Sequence, residues 1–206
     1  MLKGILLLFL FVLNFSCSKP VNKKIIAIQP LGIVSPEIIR SIQESVELFY
    51  GSQVIINSAI PVPDDFFVNY KSPRYCADSI IHYLKVTKPD SVDHILAVTG
   101  YDISTSIKDS FGNIKEPKGK YRDWGIFGLG YRPGSSCIVS TFRLKHKDRK
   151  IFLERMNKVS LHELGHNFNL PHCTNNDCFM QDAAESIKTI DKVSLQLCGS
   201  CVRKIL

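Results

Sequence analysis

The segment His162-Glu-Leu-Gly-His-Asn-Phe-Asn-Leu-Pro-His172 contains three histidines separated by four and six residues. His162 and His166 are four residues apart, so on a helix their side chains project from one face about one turn apart. Two imidazoles in that arrangement can bind one zinc ion. Glu163 is adjacent to the first histidine but rotated away from it, which allows it to act as general base toward a zinc-bound water. The pattern predicts a zinc-binding helix.

The third histidine requires the helix to end. His172 lies six residues after His166, and a continuing helix would carry its side chain to another face. Asn169 is suited to ending the helix, because Asn tolerates the left-handed backbone conformation better than most residues. Pro171 then prevents the helix from resuming. A third histidine delivered in this way leaves a fourth zinc position open for water and substrate, as in catalytic sites.

Hydrophobic periodicity around this segment predicts an α/β sandwich with a mixed sheet. Apolar runs bounded by Pro and Gly predict strands, and apolar residues at helical spacing predict helices. The long polar stretch 101–122 is interpreted as a flap or insertion near a site. The predicted strands are 24–31, 54–60, 94–99 and two within 125–142 around the turn Arg132-Pro133-Gly134; the predicted helices are 35–51, 72–85 and a long one from about Lys147.

Size and composition fit one globular domain. The chain has 206 residues, of which 45% are apolar and 22% charged, which excludes wholesale disorder and fibrous repeats. The formal net charge of +7 does not by itself indicate a function. The basic run 143–150 has no interleaved aromatic residues. It is therefore interpreted as a solvated loop and helix start, with a nucleic-acid patch as the alternative.

The N-terminus has the pattern of an export signal. A single Lys3 precedes an uninterrupted apolar run from Ile5 to Leu13, which is too short to span a bilayer. The following residues, up to Cys17, resemble a bacterial lipoprotein signal, in which the cysteine is lipidated. An ordinary cleaved signal is the alternative. Residues 1–16 are thus predicted as a signal peptide and 17–24 as a tether, in a protein exported to the bacterial cell envelope and anchored to a membrane by lipid.

Downstream of His172 the chain reads Cys173-x4-Cys178-x-Met180-x17-Cys198-x2-Cys201. Together with the three histidines, this spacing resembles the archaemetzincins, metzincin-type zinc metallopeptidases with a second zinc held by four cysteines. The segments 75–78, 98–102 and 127–144 are also similar to that family. Asn169 stands where the metzincin signature has Gly.

The resemblance implies a fold and roles for individual residues. Residues 25–206 would form a metzincin-like three-layer α/β sandwich with a mixed twisted sheet, a long active-site helix and a C-terminal four-cysteine zinc subdomain. Met180 would form the floor of the catalytic zinc site, although a lone Met also serves as core filler. Cys173, Cys178, Cys198 and Cys201 would hold a structural zinc, which makes two Zn²⁺ per chain. Two disulfides are the alternative in an oxidising compartment.

The function that follows is a zinc-dependent peptidase, with His162, His166 and His172 as zinc ligands and Glu163 as general base. A peptide or protein substrate would lie extended along a strand within 125–131. The chain is expected to be a monomer that binds no nucleic acid. One alternative is a non-catalytic, zinc-stabilised peptide-binding envelope protein, and another is a zinc-ribbon nucleic-acid module, against which the export signal argues.

Overall fold

The structure of the protein, a computed structural model, describes residues 23–182 and 186–205. The predicted signal peptide 1–16 and the predicted lipidation site Cys17 lie outside the described residues, as does most of the tether 17–24. None of the helices in the described ranges has the length and apolar character needed to cross a membrane.

Strands and helices alternate through the first half of the chain, and the longest helix follows the last strand. The strands are β1 (Ile25–Leu31), β2 (Gln53–Ile56), β3 (Phe67–Val68), β4 (Arg74–Cys76), β5 (His94–Thr99), β6 (Ile103–Thr105), β7 (Trp124–Ile126), β8 (Gly128–Gly130) and β9 (Ser136–Ser140). The helices are α1 (Pro36–Tyr50), α2 (Ala77–Thr87), α3 (Lys118–Tyr121), α4 (Arg149–Asn167), α5 (Ile187–Lys192) and α6 (Gly199–Ile205).

The predicted mixed sheet is confirmed and has five strands in the order β2-β1-β5-β9-β8. The first four are parallel, and β8 pairs antiparallel with β9, with Leu129 opposite Ile138. The central strands β1, β5 and β9 are nearly continuous apolar runs because both faces of the sheet are covered.

Two apolar cores lie on the two faces of this sheet. On one face, Ile42 of α1 and Met156 of α4 belong to a core that also contains Leu96 of β5. On the other face, Ile80 and Leu84 of α2 pack in a core with Ile103 of β6. The arrangement is the expected three-layer α/β sandwich, with the sheet between helices α1 and α4 and a layer that contains α2.

A second sheet, of four strands in the order β3-β4-β6-β7, was not predicted. Residues 72–76, predicted to begin a helix, instead supply β4, and α2 begins only at Ala77. The extended backbone is held by Arg74, whose guanidinium pairs with Asp102 at 2.8 Å and with Asp123 at 3.0 Å. These carboxylates are distant in sequence, so local periodicity could not predict the pairing.

The second strand of the main sheet is shorter than predicted, ending at Ile56 rather than at residue 60. The Gln29 side chain explains the early end. Its amide donates to the Ser58 carbonyl at 2.8 Å and its oxygen accepts from the Asn57 side chain at 3.0 Å. Side-chain hydrogen bonds therefore replace the ladder there.

The hairpin predicted within 125–142 is confirmed as β8 and β9, but the chain just before it belongs to the other sheet. Strand β7 is the last strand of the four-stranded sheet, and β8 is the last strand of the five-stranded sheet. Within residues 124–130, the chain therefore forms first the edge strand of the four-stranded sheet and then the edge strand of the five-stranded sheet. The segment 101–122 contributes β6 and α3, and its residue Ile107 lines a cleft that His162 of α4 also lines.

Candidate metal centre

Helix α4 carries the first two histidines and is fixed at its N-terminus by Asp148. The Asp148 carboxylate accepts hydrogen bonds from the backbone N–H groups of Lys150 and Ile151, which a helix otherwise leaves unpaired. Such a cap stabilises a helix by about 1 kcal/mol. The second half of the helix is buried on most sides, so His162, Glu163 and His166 have defined positions.

The helix ends as the sequence predicted, with Asn169 in the left-handed conformation at φ 68°. The Leu170 N–H donates to the Gly165 carbonyl at 2.8 Å, and the Asn169 N–H donates to the His166 carbonyl at 2.9 Å. This pair of bonds is the Schellman motif, which satisfies the last carbonyls of a helix. The reversal turns the chain back, so that His172 reaches the helix face that carries the other two histidines.

The three predicted histidine ligands converge. One ring nitrogen from each of His162, His166 and His172 lies within 4.8 Å of the others. The Nε2 atoms of His166 and His172 are 3.2 Å apart. Zn–N bonds of about 2.05 Å in tetrahedral geometry place ligand nitrogens about 3.3 Å apart. The set therefore fits one zinc ion with three protein ligands.

The other ring nitrogens are held by hydrogen-bond acceptors. His162 Nδ1 lies 2.7 Å from the Phe179 carbonyl, and His166 Nδ1 lies 2.8 Å from the Leu170 carbonyl. An N–H donated at Nδ1 fixes the tautomer in which Nε2 is free to bind a metal. His172 differs, since its Nδ1 faces the carboxylate of Asp182 at 3.4 Å.

The surroundings keep the buried imidazoles neutral. Burial, followed by repulsion from His166, lowers the pKa of His162 to about 3. Burial also lowers the pKa of His166. Only a neutral imidazole has a lone pair for a metal, so these shifts favour metal binding at neutral pH.

Glu163 is buried at the wall of the same cleft, against strand β8. A Cβ atom at Gly128 would lie 2.8 Å from Glu163 Oε1, so only glycine lets the carboxylate approach this closely. Burial raises the pKa of Glu163 to about 8, although a hydrogen bond from the Gly130 N–H opposes the rise. A carboxyl group with a raised pKa is suited to proton transfer near neutral pH.

Met180 is fully buried under the helix that carries the histidines. A Cβ atom at Gly165 would lie 2.4 Å from the Met180 Sδ. The segment that contains Met180 also supplies the Phe179 carbonyl that holds His162, and the Met180 carbonyl accepts from the Cys173 N–H at 2.8 Å. The predicted floor residue therefore packs next to the site and not at a distance in the core.

The four predicted cysteine ligands also converge, in a cluster distinct from the histidines. Their sulfur atoms all lie within 4.8 Å of one another, and the cysteines are free thiols in this structure rather than disulfides. Cys173 and Cys198 are 3.7 Å apart and Cys178 and Cys201 are 3.8 Å apart, measured between sulfurs. Zn–S bonds of about 2.3 Å in tetrahedral geometry give about 3.8 Å. The cluster fits a closed, four-thiolate zinc site.

Hydrogen bonds from backbone and side chain reach these sulfurs. The Asn175 N–H donates to Cys173 Sγ and the Cys198 N–H donates to Cys178 Sγ, both at 3.4 Å. The Ser200 hydroxyl, 3.0 Å from Cys198 Sγ, lowers the pKa of that thiol to about 6. Burial raises the pKa of Cys178. N–H and O–H donors stabilise thiolates, the form that binds metal.

The three histidines line a cleft of about 300 Å³, and most of the remaining lining is apolar. Val159 of α4 and Ile190 of α5 lie on one side, and Trp124 and Ile107 contribute from the second sheet and the segment that follows β6. Helix α5 is held against α4 by a hydrogen bond, because the Lys158 ammonium group of α4 donates to the Ile190 carbonyl of α5 at 3.0 Å.

Several residues at this site were not predicted. Asp182 and Ile190 come from the stretch between Met180 and the last two cysteines, which has no periodicity that singles them out. The glycines of β8 did carry a signal, since Gly in a strand often marks a close approach of another group.

Comparison with known proteins agrees with this geometry. Residues 35–206 match the family model described as Peptidase family M54. The archaemetzincin of Halobacterium salinarum is 29% identical over 187 residues, which is 86% of this chain and 97% of that protein. The archaemetzincin of Pyrococcus furiosus is 29% identical over 197 residues, 89% of this chain and 93% of that protein.

Solved structures show the same fold. The archaemetzincin of Archaeoglobus fulgidus, crystallised with malonate, aligns with a TM-score of 0.70 and 25% identity over 88% of this chain and 99% of that one. The archaemetzincin of Methanopyrus kandleri aligns with a TM-score of 0.74 over 91% of this chain and 96% of that one, at 23% identity. With a family model that covers most of its length and relatives that match nearly end to end, the chain belongs to peptidase family M54, the archaemetzincins, and is a zinc metallopeptidase.

Proposed function

We propose that this peptidase hydrolyses peptide bonds with Glu163 as general base and with His162, His166 and His172 as ligands of a catalytic zinc. The observation that carries the proposal is the position of the Glu163 carboxylate. It is buried in the wall of the cleft, one residue from the first histidine, and lies against the strand that borders the cleft.

A zinc ion at the histidines would supply Lewis-acid activation of water and of the scissile carbonyl. The proton transfers are carried out by a side chain of the protein. Glu163 accepts the proton from the attacking water and returns it to the nitrogen of the leaving amine, so the carboxylate ends in its starting form. The raised pKa of Glu163 suits both transfers.

The substrate lies extended along β8, which borders the five-stranded sheet at the cleft. Addition of a strand to a sheet edge binds a peptide through its main chain, whatever its side chains. The apolar lining contributed by Val159 and Ile190 then contacts the substrate side chains nearest the histidines.

The four cysteines hold a second, structural zinc, which gives two zinc ions per chain. The tetrahedral spacing of the sulfurs and the N–H donors to two of them support this assignment. Met180 serves as the apolar floor of the histidine site, supported by its burial against Gly165.

We further propose that residues 1–16 are removed, that Cys17 is lipidated, and that the peptidase acts as a monomer at the bacterial cell envelope. The sequence pattern of the N-terminus supports this location. The Cys17→Ser variant, expressed in a bacterium that processes lipoproteins and fed labelled palmitate, should lose the label and leave the membrane fraction. Equal membrane association of variant and wild type would contradict lipid anchoring.

The catalytic assignment is tested with Glu163→Gln. The variant should keep two zinc ions per chain, measured by elemental analysis, and lose cleavage of a mixed peptide library by about 10²-fold or more. Glu44→Gln, on the exposed face of α1, is the matched control and should cleave like wild type. Cleavage by Glu163→Gln at the wild-type rate would exclude Glu163 as the base.

A further inference from the structure

A second cavity, of about 420 Å³, adjoins the cleft that contains the histidines. Thr105, at the end of β6, lines both cavities. The second cavity lies between the second sheet and the segment that follows β6, with Tyr70 and Arg122 among its walls. The cleft thus continues beyond the metal centre.

Among the described residues that line this second cavity, Arg122 alone carries a basic or carboxylate side chain. Its guanidinium carbon lies 5.3 Å from the centre of the Tyr70 ring. Contact of a guanidinium with an aromatic face orients the group and leaves its N–H edges open to a carboxylate. Within the described part of the chain, no acidic side chain forms an ion pair with Arg122.

Two acidic side chains that share another cavity with Arg122 accept hydrogen bonds from other groups. Asp109 and Glu116 line a neighbouring cavity that Arg122 also borders. Asp109 Oδ1 accepts from the N–H groups of Phe111 and Asn113, both at 2.9 Å. Glu116 accepts from the Lys118 N–H at 2.9 Å and lies 3.7 Å from its ammonium group. Arg122 is therefore available to a carboxylate from outside the chain.

Arg122 is aligned with the proposed path of the substrate. It precedes β7 and β8, the consecutive border strands along which an extended peptide would lie. Gly128, in β8, is in contact range of Glu163, and Arg122 is six positions earlier in the chain. Strands β7 and β8 have three residues each, and Arg122 lies in the turn just before β7, so a peptide that pairs with these strands reaches Arg122 several residues from the bond at Glu163.

We propose that Arg122 is a specificity-determining residue that binds an acidic side chain of the substrate, Asp or Glu, in the second cavity. The inference rests on the proposed path of the peptide along β8. Charge-assisted N–H···O bonds from a guanidinium recognise carboxylates in preference to neutral amides, because both charge and fork geometry match. The peptidase thus selects peptides with an acidic residue remote from the cleaved bond.

The test is cleavage of a proteome-derived peptide library, with each cleaved bond located by mass spectrometry. Wild type should show Asp and Glu enriched about fivefold at one position that is several residues from the bond. Arg122→Gln should remove that enrichment and leave the residues next to the bond unchanged. Arg122→Glu should replace it with a preference for Lys and Arg. Arg40→Gln, the same charge change on the exposed surface of α1, should behave as wild type.

A binding measurement separates this inference from the proposed catalytic function. Short fluorescein-labelled peptides that differ only by one Glu or Gln are titrated onto zinc-loaded Glu163→Gln protein and onto the same protein with Arg122→Gln. The Glu peptide should bind about fivefold more tightly, and only when Arg122 is present. If the library is cleaved without any remote acidic preference, or the two peptides bind equally, the role of Arg122 is wrong. If the peptides differ but no bond is ever cleaved, the proposed catalysis fails and the role of Arg122 stands.

Discussion

The thioether of Met180 occupies the space where a side chain at Gly165 would be, since a Cβ there would lie 2.4 Å from the Met180 Sδ. Gly165 immediately precedes His166, so this contact sets how closely the Met180 segment approaches the helix at the metal centre. The same segment holds His162 through the Phe179 carbonyl.

Gly165→Ala should therefore destabilise the protein by about 1–3 kcal/mol, because an extra methyl group overpacks a full site. Urea unfolding measures the loss, and zinc competition with a chelator should show weaker binding at the histidines. Gly119→Ala in α3 is the matched control, since a Cβ there meets no atom within 4 Å. Equal stability of the two variants would mean that Met180 moves aside without cost.

Asp182 should orient His172 for metal binding, as the side-chain counterpart of the carbonyls that hold the other two histidines. His172 Nδ1 faces the Asp182 carboxylate at 3.4 Å. Removal of such a partner commonly weakens metal affinity by about 10–100-fold. Asp182→Ala should show this loss for the histidine-bound zinc in chelator competition, with the thiolate-bound zinc unchanged. Asp177→Ala, an exposed aspartate nearby, serves as the control. Identical affinities would remove Asp182 from the site.

The two candidate metal sites should be coupled, because His172 and Cys173 are adjacent in sequence and belong to different clusters of possible ligands. The Cys173 N–H donates to the Met180 carbonyl, which ties the cysteine loop to the segment that packs against Gly165. Cys198→Ser changes no residue of the histidine site, yet it should lower zinc at both sites and reduce cleavage, since thiolate–zinc binding stabilises the fold. The measurement is zinc stoichiometry with peptide cleavage. Retention of one zinc and wild-type cleavage would show that the sites are independent.

The ion pair between Arg155 and Asp191 should make stability depend on pH. The hydrogen bonds from Arg155, at 2.7 Å to each carboxylate oxygen, lower the pKa of Asp191 in the folded protein. The stabilisation is therefore complete above the ordinary Asp pKa of about 3.9 and is lost as pH falls through the lower folded-state value. In urea unfolding, Asp191→Asn should be less stable than wild type at pH 7. The difference in the free energy of unfolding between the two proteins should disappear in acid. If this difference in the free energy of unfolding stays constant with pH, the ion pair between Arg155 and Asp191 is not its cause.

Short-range patterns predicted the metal centre because its geometry is local. The spacing of His162 and His166 follows from helix geometry, and Asn169 ends the helix as its tolerance of positive φ predicted. The four cysteines were expected to form one cluster because the resemblance to the archaemetzincins implies it, and their sulfurs do converge.

Long-range contacts account for what the patterns missed. The helix predicted from residue 72 begins at Ala77, because Arg74 pairs with two carboxylates that lie just before the later strands β6 and β7. The second sheet depends on the same pairs. Asp182 and Arg122 are polar residues in irregular segments, and only the folded chain places one beside His172 and the other in a cavity next to the cleft.

The border strand β8 is only three residues long, Gly128–Gly130, and it ends the five-stranded sheet. A sheet edge that can receive a substrate can also receive the edge of another copy of the protein, which is a route to aggregation. A short edge limits that association, because few main-chain bonds form between two such strands. The strand that we propose as the guide of a peptide to Glu163 is thereby a poor template for self-assembly.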